Sequence, residues 1–115
     1  MTINIDYIEF ATTDMTASKQ FFTEVFGWQF VDYGPDYAAF EKQGLDGGFY
    51  KAESVSASHQ GAPLVVLMSE QLESLIIKIE QAGGKITKPI FSFPGGERFQ
   101  FSEPGGNELA VWRKV

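Results

Sequence analysis

Cysteine is absent from this chain of 115 residues, and histidine occurs once, at His59. The first absence excludes disulfides, zinc–thiolate centres and thiol nucleophiles together. The second leaves all imidazole chemistry to one side chain. Basic residues are sparse: nine Lys and Arg stand against fifteen Asp and Glu, a formal charge of −6. The cations are scattered as well as few, so a nucleic-acid partner is not expected. Long apolar runs are missing too. The longest near the middle of the chain is Pro63 to Met68, far short of the roughly 20 residues that cross a bilayer as a helix. No membrane partner is expected. The opening residues Met1-Thr2-Ile3-Asn4-Ile5-Asp6 carry neither a basic region nor a long apolar stretch, so no secretory signal is visible. The expected location is cytoplasmic.

Aromatic residues are what the chain has in plenty: eleven Phe, four Tyr and two Trp, 15% of the sequence. With 43% hydrophobic and 21% charged residues the composition is otherwise that of a globular protein, and the length suits one domain. A Phe-rich core accounts for most of the rings. Aromatic walls around a small-molecule cavity are the sharper reading for some of them.

Helical periodicity occurs twice. Ala17, Phe21, Phe22, Val25 and Phe26 fall on one stripe, with Thr13 or Asp14 as cap and Gly27 as stop. Leu72, Leu75, Ile76 and Ile79 repeat the pattern, with Ser69 as cap and Gly83-Gly84 as stop. Each helix follows a short apolar segment, Ile3 to Phe10 and Leu64 to Met68. Each precedes three strand-like runs: Trp28 to Tyr33, Tyr37 to Lys42 and Asp46 to Lys51, then Lys85 to Phe91, Glu97 to Ser102 and Asn107 to Arg113. The predicted organisation is two copies of strand–helix–strand–strand–strand in one α+β domain. Module one spans about residues 1–52, the linker about 53–62 and module two about 63–115. Neither half buries enough surface to stand alone.

Tyr7-Ile8-Glu9-Phe10, followed by Asp14 to Phe22 and Val25-Phe26-Gly27-Trp28, resembles the opening of the vicinal oxygen chelate superfamily of glyoxalase I, bleomycin-resistance proteins and extradiol dioxygenases. The stretch Phe101 to Trp112, with Glu103-Pro104-Gly105-Gly106-Asn107, is similar to its ending. The resemblance implies paired βαβββ modules whose eight strands form an open, barrel-like sheet around a cavity, often completed in a homodimer. It also implies one divalent metal, held by His, Gln or Glu from the first and last strands of each module. Matched to those motifs, the ligand positions fall on Tyr7, Leu64 and Ala110, and on the stretch Gly47-Gly48-Phe49-Tyr50, which has no carboxylate or imidazole. Leucine and alanine cannot ligate, and a phenol is a poor substitute. The expectation is therefore no metal and no cofactor.

Period-two parity puts Glu9 on the face of Tyr7, and Glu108 and Trp112 on the face of Ala110. Two inward carboxylates could act as acid and base or hold a cation, and Glu9 is the candidate catalytic residue. Alternatively they lie solvated at the rim or pair with Arg98 or Arg113. Gly47-Gly48 and Gly95-Gly96 precede no helix, so they read as turns that bend strands and not as phosphate loops. A ligand-binding set of Tyr7, Glu9, Leu64, Val66, Glu108, Ala110 and Trp112 follows. The leading expectation is metal-independent binding of a small apolar or aromatic molecule. Its rivals are a metal-dependent lyase or isomerase of glyoxalase type, using Glu9, Glu108 and His59 or ligands lent by a partner, and a non-catalytic assembly module.

Overall fold

A computed structural model describes residues 2–115. Eight strands and two helices appear in the order β1 (Tyr7–Thr12), α1 (Met15–Phe26), β2 (Phe30–Asp32), β3 (Tyr37–Gln43), β4 (Leu45–Lys51), β5 (Val65–Met68), α2 (Leu72–Gln81), β6 (Lys85–Phe93), β7 (Gly96–Ser102) and β8 (Glu108–Lys114). They are the two predicted βαβββ modules. Each makes one four-stranded mixed sheet, ordered β1-β4-β3-β2 and β5-β8-β7-β6, with the first and last strands of each module parallel. Among the described residues no ladder joins the two sheets, so they do not close into a barrel.

Local chemistry explains the helix ends. The Asp14 carboxylate accepts the Ala17 N–H at 3.0 Å, and Gly27 takes φ 74°, a left-handed stop. Helix α2 differs from expectation. Ser69 Oγ accepts the Gln71 N–H at 3.1 Å and shapes the approach, while Gln71 itself occupies the cap position. The first strand also starts late, at Tyr7, and Ile3 and Ile5 are exposed. Among the described residues its neighbour is β4, which begins at Leu45 and pairs Tyr7 with Asp46, so Ile3 and Ile5 have no β4 residue opposite them.

Both helices cover one face of their sheets, and the modules share one core. Phe21 and Phe22 of α1 are fully buried, Phe22 lies 4.7 Å from the Trp28 ring, and Phe21 stacks 5.8 Å from Phe101 of module two. Ile79 of α2 and Leu109 and Val111 of β8 complete it. Burying such side chains stabilises by roughly 1.5–3 kcal/mol each, which is why the halves hold together without a shared ladder. The opposite faces of both sheets have no helix over them, and Tyr7, Tyr50, Val66 and Met68 are exposed.

Candidate functional site

Strand register sorts the side chains of the uncovered faces into rows, because residues opposite one another project to the same side. On sheet one, Tyr7 lies opposite Asp46, and Glu9 opposite Gly48 and then Ala39. Ala11 lies opposite Tyr50 and then Tyr37. Tyr37 crosses rows to reach Glu9. Its hydroxyl donates to Glu9 Oε2 at 2.8 Å, which leaves its oxygen to accept from Tyr7 at 2.6 Å. A relay Tyr7 to Tyr37 to Glu9 results. Burial, together with the hydrogen bond to Glu9 and the Glu9 charge, pushes the Tyr37 phenol above its ordinary value.

Gly48 makes the crossing possible. A Cβ there would sit 2.3 Å from the Tyr37 hydroxyl oxygen and 2.5 Å from its ring. Gly47 and Gly48 therefore lie inside β4 and permit close approach, where a turn had been expected. Nothing in an isolated glycine pair distinguishes the two uses. The Tyr37 contact does.

On sheet two the rows are Lys85, Ser102 and Glu108, then Lys88, Gln100, Ala110 and Val66, then Phe91, Arg98, Trp112 and Met68. Glu108 is the best-satisfied carboxylate of this face. It accepts from the Ser58 hydroxyl, from Ser58 N–H at 3.2 Å, from Thr87 at 2.7 Å and from Gln100 at 3.3 Å. Burial opposes its charge, but those four hydrogen bonds outweigh burial and hold the carboxyl below its ordinary range. Its donors are neutral. Arg113 instead serves Glu97 and Glu73 on the helix side, and Arg98 meets neither glutamate.

The linker packs against β8 through Ser58 and forms a wall. A cavity of about 360 Å³ behind it brings Glu9, Ala11 and Tyr50 of module one together with Val55, Pro63 and Glu108. Of the predicted set, then, Glu9 and Glu108 meet at one cavity. Tyr7 joins Glu9 through Tyr37, Val66 lies in register with Ala110, and Met68 with Trp112. Leu64 precedes β5 and lines none of this cavity. A second hollow of about 660 Å³ lies on the other side of the Ser58–Glu108 contact, edged by His59, Lys88 and Gln100. Tyr37, Gln100 and Ser58 are site residues that the sequence did not single out. Their places follow from register and linker path, which leave no local signal.

The donor set does not suit a divalent ion at the positions implied by the resemblance. Tyr7 is engaged with Tyr37, Ala110 is a buried methyl, and among the described residues no three His, Asp or Glu side chains converge.

Paired βαβββ modules, each with a helix on one face of its sheet and the other face open, define a known class, and comparison agrees. The chain belongs to the Glyoxalase/Bleomycin resistance protein/Dioxygenase superfamily, whose profile matches residues 4–111. It is 25% identical to the anthracycline biosynthesis protein DnrV of Streptomyces peucetius over 94% of this chain but 46% of that protein. The chain thus spans about half the length of the curated relatives it matches. Its fold matches a glyoxalase-related enzyme from Fulvimarina pelagi (TM-score 0.81, 20% identity, 96% of this chain and 88% of that one). It also matches the fosfomycin resistance protein FosX from Listeria monocytogenes (TM-score 0.81, 15% identity, 100% and 96%). Among the described residues no helix is long and apolar enough to cross a membrane.

Proposed function

We propose that this chain binds a small, largely apolar or aromatic molecule against its open sheet faces, without a divalent metal. The observation that carries the reading is the convergence of Glu9 and Glu108 with Tyr50, Val55 and Pro63 on one cavity of about 360 Å³. That volume is within the roughly 300–1,000 Å³ of small-molecule sites, and Ile8, Val55 and Pro63 give it apolar walls beside the polar Glu9, Asn107 and Glu108. The Tyr7–Tyr37–Glu9 relay offers a positioned acceptor, and the phenol of Tyr37 keeps its proton at neutral pH. A thermal-shift screen of aromatic small molecules tests the reading. Hits should be weakened by Glu9→Gln with the unliganded melting temperature unchanged. A screen without hits, or a Glu9→Gln chain that unfolds, would sink it.

The meeting of two carboxylates at one cavity also favours a second reading, a metal-dependent lyase or isomerase with a shifted ligand set. Metal content of the purified protein separates the two: a stoichiometric ion would replace the first reading by the second.

The occupant proposed for the rest of the open faces is a second copy of this chain. Tyr7, Val66 and Met68 are exposed apolar side chains on these faces, and opposing them in a dimer would bury them. Sedimentation should give a dimer at micromolar concentration. A monomer throughout would remove this part.

A further inference from the structure

Arg98 lies in the middle of sheet two's open face, and its surroundings are those of a cation awaiting an anion. Its Nε is buried and has no hydrogen-bond partner. Its Nη2 reaches only Gln100 Oε1, at 3.5 Å, the outer limit of a hydrogen bond. No carboxylate pairs with it, although the chain carries fifteen acids. The guanidinium carbon instead lies 5.2 Å and 5.6 Å from the ring centres of Phe91 and Phe93. Cation–π contact holds the group in place without neutralising it.

The neighbours extend the pattern. Lys88, in the next row, rests over the same Phe91 ring at 5.4 Å and is likewise in no ion pair. Trp112, opposite Arg98 on β8, is half-buried and lies 6.1 Å from Phe93. Gln100 is oriented by its amide, with the nitrogen toward Glu108 and the oxygen toward Arg98. Its Oε1 thus takes what the Nη2 can give without competing as a charge. A guanidinium with no carboxylate partner, flanked by the rings of Phe91 and Phe93, fits a planar organic anion better than any neutral guest.

We propose that Arg98, with Lys88 and the rings of Phe91, Phe93 and Trp112, forms a binding site for a small aromatic carboxylate. The carboxylate pairs with the guanidinium and the lysine, and the ring stacks on Trp112. This is a second site, on sheet two and apart from the cavity that Glu9 and Glu108 share, and it goes beyond the binding reading above.

Naphthoate and its neutral counterpart naphthamide test it, read by quenching of Trp112 and by isothermal calorimetry. Trp28 is buried in the core, so a surface ligand quenches Trp112 first. The wild-type chain should bind naphthoate at least about tenfold more tightly than naphthamide, the scale of one charge-assisted hydrogen bond. Arg98→Gln should abolish that preference while leaving naphthamide binding in place, and Arg98→Lys should restore part of it. Equal binding of the two probes, or a preference that survives in Arg98→Gln, overturns the site and leaves the binding reading intact. Failure of both probes to bind overturns the site as well. Loss of dimer in Arg98→Gln without any naphthoate preference in the wild type would assign the guanidinium to a second copy and overturn the proposal equally.

Discussion

Ser18 on α1 donates its hydroxyl proton to Glu103 Oε1 at 2.7 Å, across the boundary between the two modules. Since that proton is committed, the 2.7 Å contact between Ser18 and Thr12 runs from Thr12 to Ser18. Glu103 is 3% exposed and also accepts from Gly105 N–H, Asn107 N–H and Asn107 Nδ2, while Nδ2 donates on to Ala11 O at 2.7 Å. The acidic residue and asparagine of the Glu103-Pro104-Gly105-Gly106-Asn107 stretch are thus a clasp between modules. Gly105 is obligatory beneath it, because a Cβ would lie 2.1 Å from the hydroxyls of both Ser18 and Thr12.

Truncating the centre of that clasp leaves several buried donors without an acceptor. Glu103→Ala should destabilise by about 2–4 kcal/mol, and Ser18→Ala by about 1–2 kcal/mol. Urea unfolding checks both. A loss below about 1 kcal/mol for Glu103→Ala would show that the network is not what holds the modules.

Gly48→Ala should destabilise by about 1–3 kcal/mol through the clash with the Tyr37 ring. In a double-mutant cycle, Tyr37→Ala should recover part of that loss, since removing the ring removes most of the obstruction. Strict additivity of the two substitutions would separate the glycine from the tyrosine.

Tyr37 has its phenol pushed above the ordinary value of 10.0. A group whose value is raised on folding contributes stability that is complete below the unfolded value and disappears as pH climbs through the folded one. Stability should therefore hold to about pH 10 and fall above it, with a smaller alkaline loss in Tyr37→Phe. Spectrophotometric titration should show one of the four tyrosines ionising late, and that late step should vanish in the variant.

Glu108 works in the opposite sense. Its carboxyl is held below the ordinary 4.5, so its contribution is present above that value and is lost as pH falls through the folded one. Protonation weakens the hold on Ser58, and the linker should open only as pH falls below the ordinary carboxyl range. Hydrogen exchange at the Ser58 amide, which donates to Glu108, reports this directly. Glu108→Gln should show fast exchange at neutral pH as well.

The architecture was legible because its signals are local and repeated. The stripe from Ala17 to Phe26, the Asp14 cap and the Gly27 stop all depend on residues within a few positions of one another. Parity likewise placed Glu9 with Tyr7, and Glu108 with Ala110 and Trp112, on common faces. What escaped were relations set by pairing partners. Ile3 and Ile5 looked like strand, but β4 starts too late to receive them. Gly47-Gly48 looked like a turn, but Tyr37 lies over the second glycine. Glu108 was read either as an inward carboxylate or as one at a rim or against an arginine, and its hydrogen-bond partners come from the linker, β6 and β7.

By itself, then, the order of residues determined two βαβββ modules and the face of each strand residue, since periodicity and side-chain chemistry act over short distances. Only the tertiary structure decided which faces share a cavity, that Tyr37 commands Glu9, and that Arg98 has rings for neighbours and no carboxylate. Those outcomes depend on strand register and on the linker's path, where residues far apart in the chain meet and where a shift of one position would exchange every neighbour.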